Sequence, residues 1–207
     1  GKFAERSAAQ AGRIYYFELQ NYSKAEEYFK KLKDLATAGD NRLDAMRGLL
    51  RSQYQLKEWT EAVPNAQDLL KEKNISVDDK VLGNMVIARS QQDKQQYAEA
   101  IQSFRNVVSI NKAAFAAEAR YEIANSYFAL NDLKNAEKAA LETVNKSGSY
   151  DYWITKAYIL LGEVFAAQKD FFNAKATLQS VIENSKITEL KNEAQEKLNQ
   201  VMEEEKK

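Results

Sequence analysis

Apolar residues recur three or four positions apart along almost the whole chain, the spacing that lines one face of an α-helix. The pattern is clearest between Ala157 and Ile182. There Tyr158, Leu161, Gly162 and Phe165 form one stripe, Gln168-Lys169-Asp170 interrupts it, and Phe171, Ala174, Leu178 and Val181 form a second. Two amphipathic stripes joined by a short polar break predict an antiparallel helix hairpin. Its apolar faces must pack on each other and on something beyond. The small residues Gly162 and Ala174 mark points where two helix axes are expected to approach closely.

The second stripe repeats. With Ala174 as the ruler, equivalents stand at Ala25, Ala62, Ala100 and Ala136, each 36 to 38 residues from the next. Three positions before each ruler alanine is a large apolar residue: Tyr22, Trp59, Tyr97, Leu133 or Phe171. Four positions after come Phe29, Ala66, Phe104, Ala140 and Leu178, and seven after come Leu32, Leu69, Val107, Thr143 and Val181. Five aligned copies of a four-point pattern predict one helix pair stacked repeatedly on itself. The expected repeats cover about 3–36, 41–73, 78–111, 114–146 and 151–184, within one domain over 1–207. Their helix pairs are 3–19 with 22–36, 41–56 with 59–73, 78–94 with 97–111, 114–130 with 133–146, and 151–168 with 171–184.

Punctuation supports these boundaries. Asp40-Asn41, Ser76 with Asp78-Asp79, and Ser149 with Asp151 are expected to open the third, fifth and ninth helices. Gly39 and Gly148 fall where helix C-termini should close. Pro64 is expected near the first turn of its helix, where a missing N–H costs least. A last stripe, Ile187, Leu190, Ala194, Leu198 and Val201, is polar on every other side and predicts a capping helix over about 187–205. At the other end the apolar pattern starts at once with Phe3, Ala4, Ala8 and Ala11. The expectation is that the chain is the C-terminal part of a longer array.

These residues resemble the tetratricopeptide repeat (TPR) family over nearly the whole chain. The family's first-helix pattern of a large apolar residue, Leu-Gly and an aromatic is carried by Tyr158, Leu161-Gly162 and Phe165. The fourth copy reads Arg120, Ile123-Ala124 and Tyr127. The first keeps Tyr16 but has Gly12-Arg13 where Leu-Gly is expected, and the second and third are looser. The family's closing Pro is missing from every copy, and the period exceeds its usual length. The resemblance implies an all-α fold, a right-handed superhelical α-solenoid of antiparallel helix pairs, whose first helices line a concave groove that holds peptides or extended protein segments.

Composition narrows the chemistry. The chain of 207 residues has 30 basic and 30 acidic residues, so no net field recruits nucleic acid or an anionic membrane. It has neither Cys nor His, which removes thiol nucleophiles, disulfides, zinc sites and histidine bases. No apolar run reaches the roughly 20 residues that span a bilayer. No glycine-rich phosphate loop is present. An enzyme is therefore not expected, and no cofactor or metal is called for. A cysteine-free chain suits a reducing or an oxidising compartment alike.

Carrying the family's ligand-facing positions across copy by copy singles out Arg47, Arg51 and Tyr54 in the second repeat, Arg89 in the third, and Tyr121 and Asn125 in the fourth. Arg47 and Arg51 lie four apart on one helix, and Arg89 repeats the position of Arg51 one copy later. Arg offers bidentate donors, Asn can hold a peptide backbone, and Tyr supplies contact area at low entropic cost. The partner expected from this set is a protein or peptide of acidic character. The bland alternative pairs these arginines with acids of their own chain, for which Asp44 and Glu118 are available. The off-register Tyr150, Tyr152 and Trp153 are expected to pack at a helix start. The function expected is a non-catalytic scaffold that binds an extended segment in its groove. A structural or oligomerising module working through its outer face or N-terminal edge is the alternative.

Overall fold

A computed structural model describes residues 1–36, 39–73, 75–110 and 113–206. Among these residues the chain is helical throughout, with α1 (Lys2–Arg13), α2 (Tyr22–Leu35), α3 (Asp40–Leu56), α4 (Trp59–Lys71), α5 (Val77–Asp93), α6 (Tyr97–Ile110), α7 (Ala114–Ala129), α8 (Leu133–Lys146), α9 (Asp151–Ala167), α10 (Phe171–Asn184) and α11 (Thr188–Glu204). A π-helical turn at Ile14–Glu18 continues α1. The observed ends fall within two residues of those the apolar stripes predict. Asn111, the expected end of the sixth helix, lies outside the described residues. The chain forms two compact units, Gly1–Lys94 and Gln95–Lys207. The first contains α1 to α5 and the second α6 to α11, so the two helices of the third copy belong one to each unit.

The repeating columns are the core. All five ruler alanines are fully buried, and the residues four and seven positions later are between 0% and 6% exposed. The large residues three before the ruler are half-buried instead. They start the second helices, and Tyr22 and Trp59 pack edge-on against aromatics that end the first ones. Tyr22 meets Tyr16 at 5.3 Å and Trp59 meets Tyr54 at 5.3 Å. Each cluster is local, as stacking requires. One joins α1, α2 and α3 around Ala25, Phe29 and Leu32, a second joins α7, α8 and α9, and a third joins α9, α10 and α11. In the third, α11 buries Leu190, Ala194, Leu198 and Val201 against the last pair, at about 1.5–3 kcal/mol for each large side chain.

The turn inside each repeat is built one way. A residue with positive φ stands five before every ruler alanine: Gln20, Lys57, Gln95, Asn131 and Lys169, with φ between 47° and 63°. It ends the first helix in a left-handed cap. Lys169 N–H donates to the Ala166 carbonyl at 2.9 Å and Asp170 N–H to the Phe165 carbonyl at 2.8 Å, the paired bonds of a Schellman motif. The next residue caps the second helix. Asn21, Asp132 and Asp170 each accept from the backbone N–H three residues on. Each of these three caps lies four residues before its ruler alanine. A left-handed lysine carries a Cβ penalty that glycine avoids. Lys57→Gly is therefore expected to raise stability by roughly 0.5–1 kcal/mol, measured by denaturant unfolding.

The π turn explains the irregular first copy. Gly12 lies thirteen residues before its ruler, whereas Gly162 lies twelve before Ala174. A π turn absorbs one extra residue within a helix. Asn21 N–H accordingly reaches back six residues to the Tyr15 carbonyl (2.8 Å), where Glu58, Asp132 and Asp170 of the second, fourth and fifth copies reach back five.

Some boundary expectations are corrected. Ser76 and Asp79 form a full capping box on α5. Asp40 does not cap α3 but is its first residue, with Gly39 (φ 77°) at the cap position, so Gly39 opens α3 rather than closing α2. Gly148 (φ 59°) does follow the end of α8. The residue at the cap of α9 is Tyr150, not Ser149. Pro64 is past the first turn, inside α4 and exposed, where it leaves one helical carbonyl without its donor.

Candidate functional site

The first helices of the first unit, α1, α3 and α5, are joined by a polar seam. Asn41 Nδ2 donates to Glu5 Oε2 at 2.9 Å, and Arg13 pairs with Asp44. Arg47 then reaches from α3 to the start of α5. Its Nε and Nη2 donate to the two carboxylate oxygens of Asp79, each at 2.7 Å, and its other edge lies 3.7 Å from Asp44. The Asp79 side chain is only 2% exposed and also accepts the Ser76 N–H at 3.0 Å. Burial alone would raise the Asp79 carboxyl, but the bonds from Arg47 and Ser76 outweigh it and hold that group below the usual aspartate range. The hydrogen bond to Asp79 raises Arg47 in turn. Arg47 is thus a strut between neighbouring repeats. The bland alternative describes it, with Asp79 rather than Asp44 as the closer acid.

Arg51 differs. It lies one turn further along α3, on the same face as Arg47, and is half-buried. Among the described residues it has no hydrogen bond and no ion pair. Tyr54, three residues on, is held by its edge-on contact with Trp59. Arg89, on α5, donates from Nη1 to Gln92 Oε1 at 3.1 Å.

In the second unit the corresponding positions carry different chemistry. Tyr121 is 8% exposed, its ring 5.5 Å from that of Trp153 and 5.6 Å from Lys156 Nζ. Trp153 belongs to the core around Tyr121, and Tyr152 packs edge-on against it at 5.0 Å. Lys156 is bonded to Glu193 of α11 at 2.6 Å, and Glu163 to Lys197 of the same helix. Asn125 Nδ2 donates to Glu122 Oε2 at 3.2 Å. This face is therefore aromatic and carboxylate-rich, with its lysines paired. Sequence reasoning missed Asp79 as a partner because it read that residue only as a helix cap.

Among the described residues no group of three Asp or Glu side chains is placed to hold a metal ion, and no helix is long and apolar enough to cross a membrane. Stacked helix pairs, short left-handed turns and ion-paired first helices define an α-solenoid of the kind that serves as an interaction scaffold. Three Tetratricopeptide repeat profiles match, over residues 6–38, 85–151 and 156–185, together more than half of the chain. The chain belongs to the tetratricopeptide repeat family. Its fold is similar to that of a thermophilic TPR protein of Thermus thermophilus, at 16% identity and a TM-score of 0.63, covering 94% of this chain and 99% of that one. BtubC from P. vanneervenii is similar at 12% identity and a TM-score of 0.63, with 98% and 82% covered. YrrB, described as a TPR protein with an unusual peptide-binding site, is similar at 14% identity and a TM-score of 0.60, with 89% and 88% covered. No curated protein matches the sequence at a significant level.

Proposed function

We propose that this protein is a non-catalytic scaffold that holds an extended acidic segment of a partner protein along its first-helix face, with Arg51 as the anchoring cation. The observation that carries the reading is Arg51 itself. Its neighbours along the seam, Arg13 and Arg47, are neutralised by acids of the adjacent repeat. Arg51 is half-buried on the same face and has no acid among the described residues. A planar guanidinium held in that way offers a two-pronged donor to a carboxylate, and the nearby Tyr54 offers contact area. Arg89 serves the same segment. Arg47 takes no direct part.

The test is to pan a displayed library of random peptides on the whole protein and titrate the enriched peptide by calorimetry. Enrichment of Asp- and Glu-bearing peptides is expected. Arg51→Ala should weaken the enriched peptide about tenfold, a change of about 1.4 kcal/mol. Its stability should stay within about 0.5 kcal/mol of the parent, as for a surface change. Enrichment without acidic residues, or an Arg51→Ala variant that binds as tightly as the parent, would refute the assignment.

A further inference from the structure

We propose that the second unit carries a separate oxyanion site, in a cleft between α6, α7 and α8 and independent of the first-helix face. The cleft has a volume of about 310 Å³ and is walled by Arg105 on α6, Arg120 and Tyr127 on α7, and Lys138 on α8. Its cations outnumber its acids. Glu142 is the one carboxylate in the lining, and it is bonded to Lys146 at 2.9 Å. Arg120 and Lys138 have no ion pair among the described residues. The Nε of Arg120 is shut off from solvent and has no hydrogen-bond acceptor.

A buried guanidinium N–H without an acceptor is costly, and the cost disappears when an anion supplies one. Arg105 is already turned toward the same space. One of its N–H groups donates to the Tyr127 hydroxyl at 2.7 Å, which orients the guanidinium and leaves its other donors available. Two guanidiniums and an ammonium around one cleft suit a carboxylate or a phosphate. Val108, Ile123 and Ala139 add apolar wall beside the polar Ser109 and Asn135, so the ligand class is an oxyanion attached to a small apolar group. The cleft lies between the second helices α6 and α8 and the side of α7 that carries Arg120 and Tyr127. Occupation there need not compete with a segment on the first helices, and failure of either site leaves the other intact.

The experiment follows the side-chain Nε–Hε signals of the arginines by NMR in the whole protein at constant ionic strength. Phenyl phosphate and benzoate are the oxyanion probes, and benzyl alcohol is the neutral control. Arg105 and Arg120 are expected to shift saturably with at least one oxyanion, with a Kd of roughly 1–10 mM, and to ignore benzyl alcohol. The probe that saturates identifies phosphate or carboxylate as the ligand. Arg120→Met is expected to weaken binding about tenfold. Arg105→Gln alters an exposed side chain and is the second variant should the first lose its fold; it too should weaken binding severalfold. Shifts that rise linearly without saturation, that match those of benzyl alcohol, or that survive Arg105→Gln unchanged would overturn the proposal.

Discussion

Arg47→Ala is expected to destabilise the first unit by about 2–4 kcal/mol, because it strips the guanidinium from a carboxylate that stays buried. Asp79 is 2% exposed and receives both prongs of Arg47 at 2.7 Å. Its remaining bonds come from the capping box with Ser76, which softens the loss but leaves the charge without a counter-ion. The effect has a pH signature. The folded Asp79 carboxyl lies below its ordinary value, so the stabilisation is complete above the unfolded aspartate pKa of about 3.9 and is lost as the pH falls through the lower folded value. The gap between parent and variant should narrow below about pH 4. A double-mutant cycle with Asp79→Asn, read by denaturant unfolding at pH 7, should show that the two losses do not add. Additive losses, or a gap that persists unchanged in acid, would mean that the pair is solvated and the strut absent.

Gly48→Ala should also cost about 1–3 kcal/mol, against the gain that alanine ordinarily brings to a helix interior. A Cβ at Gly48 would lie 2.3 Å from the Phe29 ring atoms Cδ1 and Cε1. The same ring also faces α1, where a Cβ at Gly12 would lie 2.9 Å from Cε1. Phe29 is 4% exposed and fills the gap between α1 and α3. Both first helices therefore approach one aromatic ring of α2, and each has a glycine at the point of approach. Restoring space with Phe29→Leu in the Gly48→Ala background should recover part of the loss. Thermal melts of the single and double variants check this, and a neutral or stabilised Gly48→Ala would show that the contact is looser than described.

The fold was legible because its signal is periodic. The ruler column and the two columns after it are written five times, and burial follows them down to Thr143, whose hydroxyl bonds the Ala139 carbonyl at 2.9 Å. The capping helix was legible from one apolar stripe on an otherwise polar segment. Gly12-Arg13 stands where Leu-Gly is expected, because the π turn that absorbs the extra residue leaves no compositional mark. The candidate site was only half legible. Family positions brought Arg47 and Arg51 forward together, since helical spacing makes them equivalent. What separates them is a residue 32 positions after Arg47 in the chain. Asp79 is set by its own capping box at the start of α5, within reach of Arg47 and not of Arg51. Such a pairing depends on how one repeat docks on the next, and side-chain spacing within a repeat does not contain it.

We propose that partners are held on the first-helix face and not on the second helices. Hydrogen–deuterium exchange of the whole protein, with and without the acidic peptide enriched by panning, tests it most directly. Exchange should slow in α3 and α5 around Arg51 and Arg89, with α2 and α4 unchanged. Protection confined to α2 and α4 would contradict it and place the working surface on the outer face.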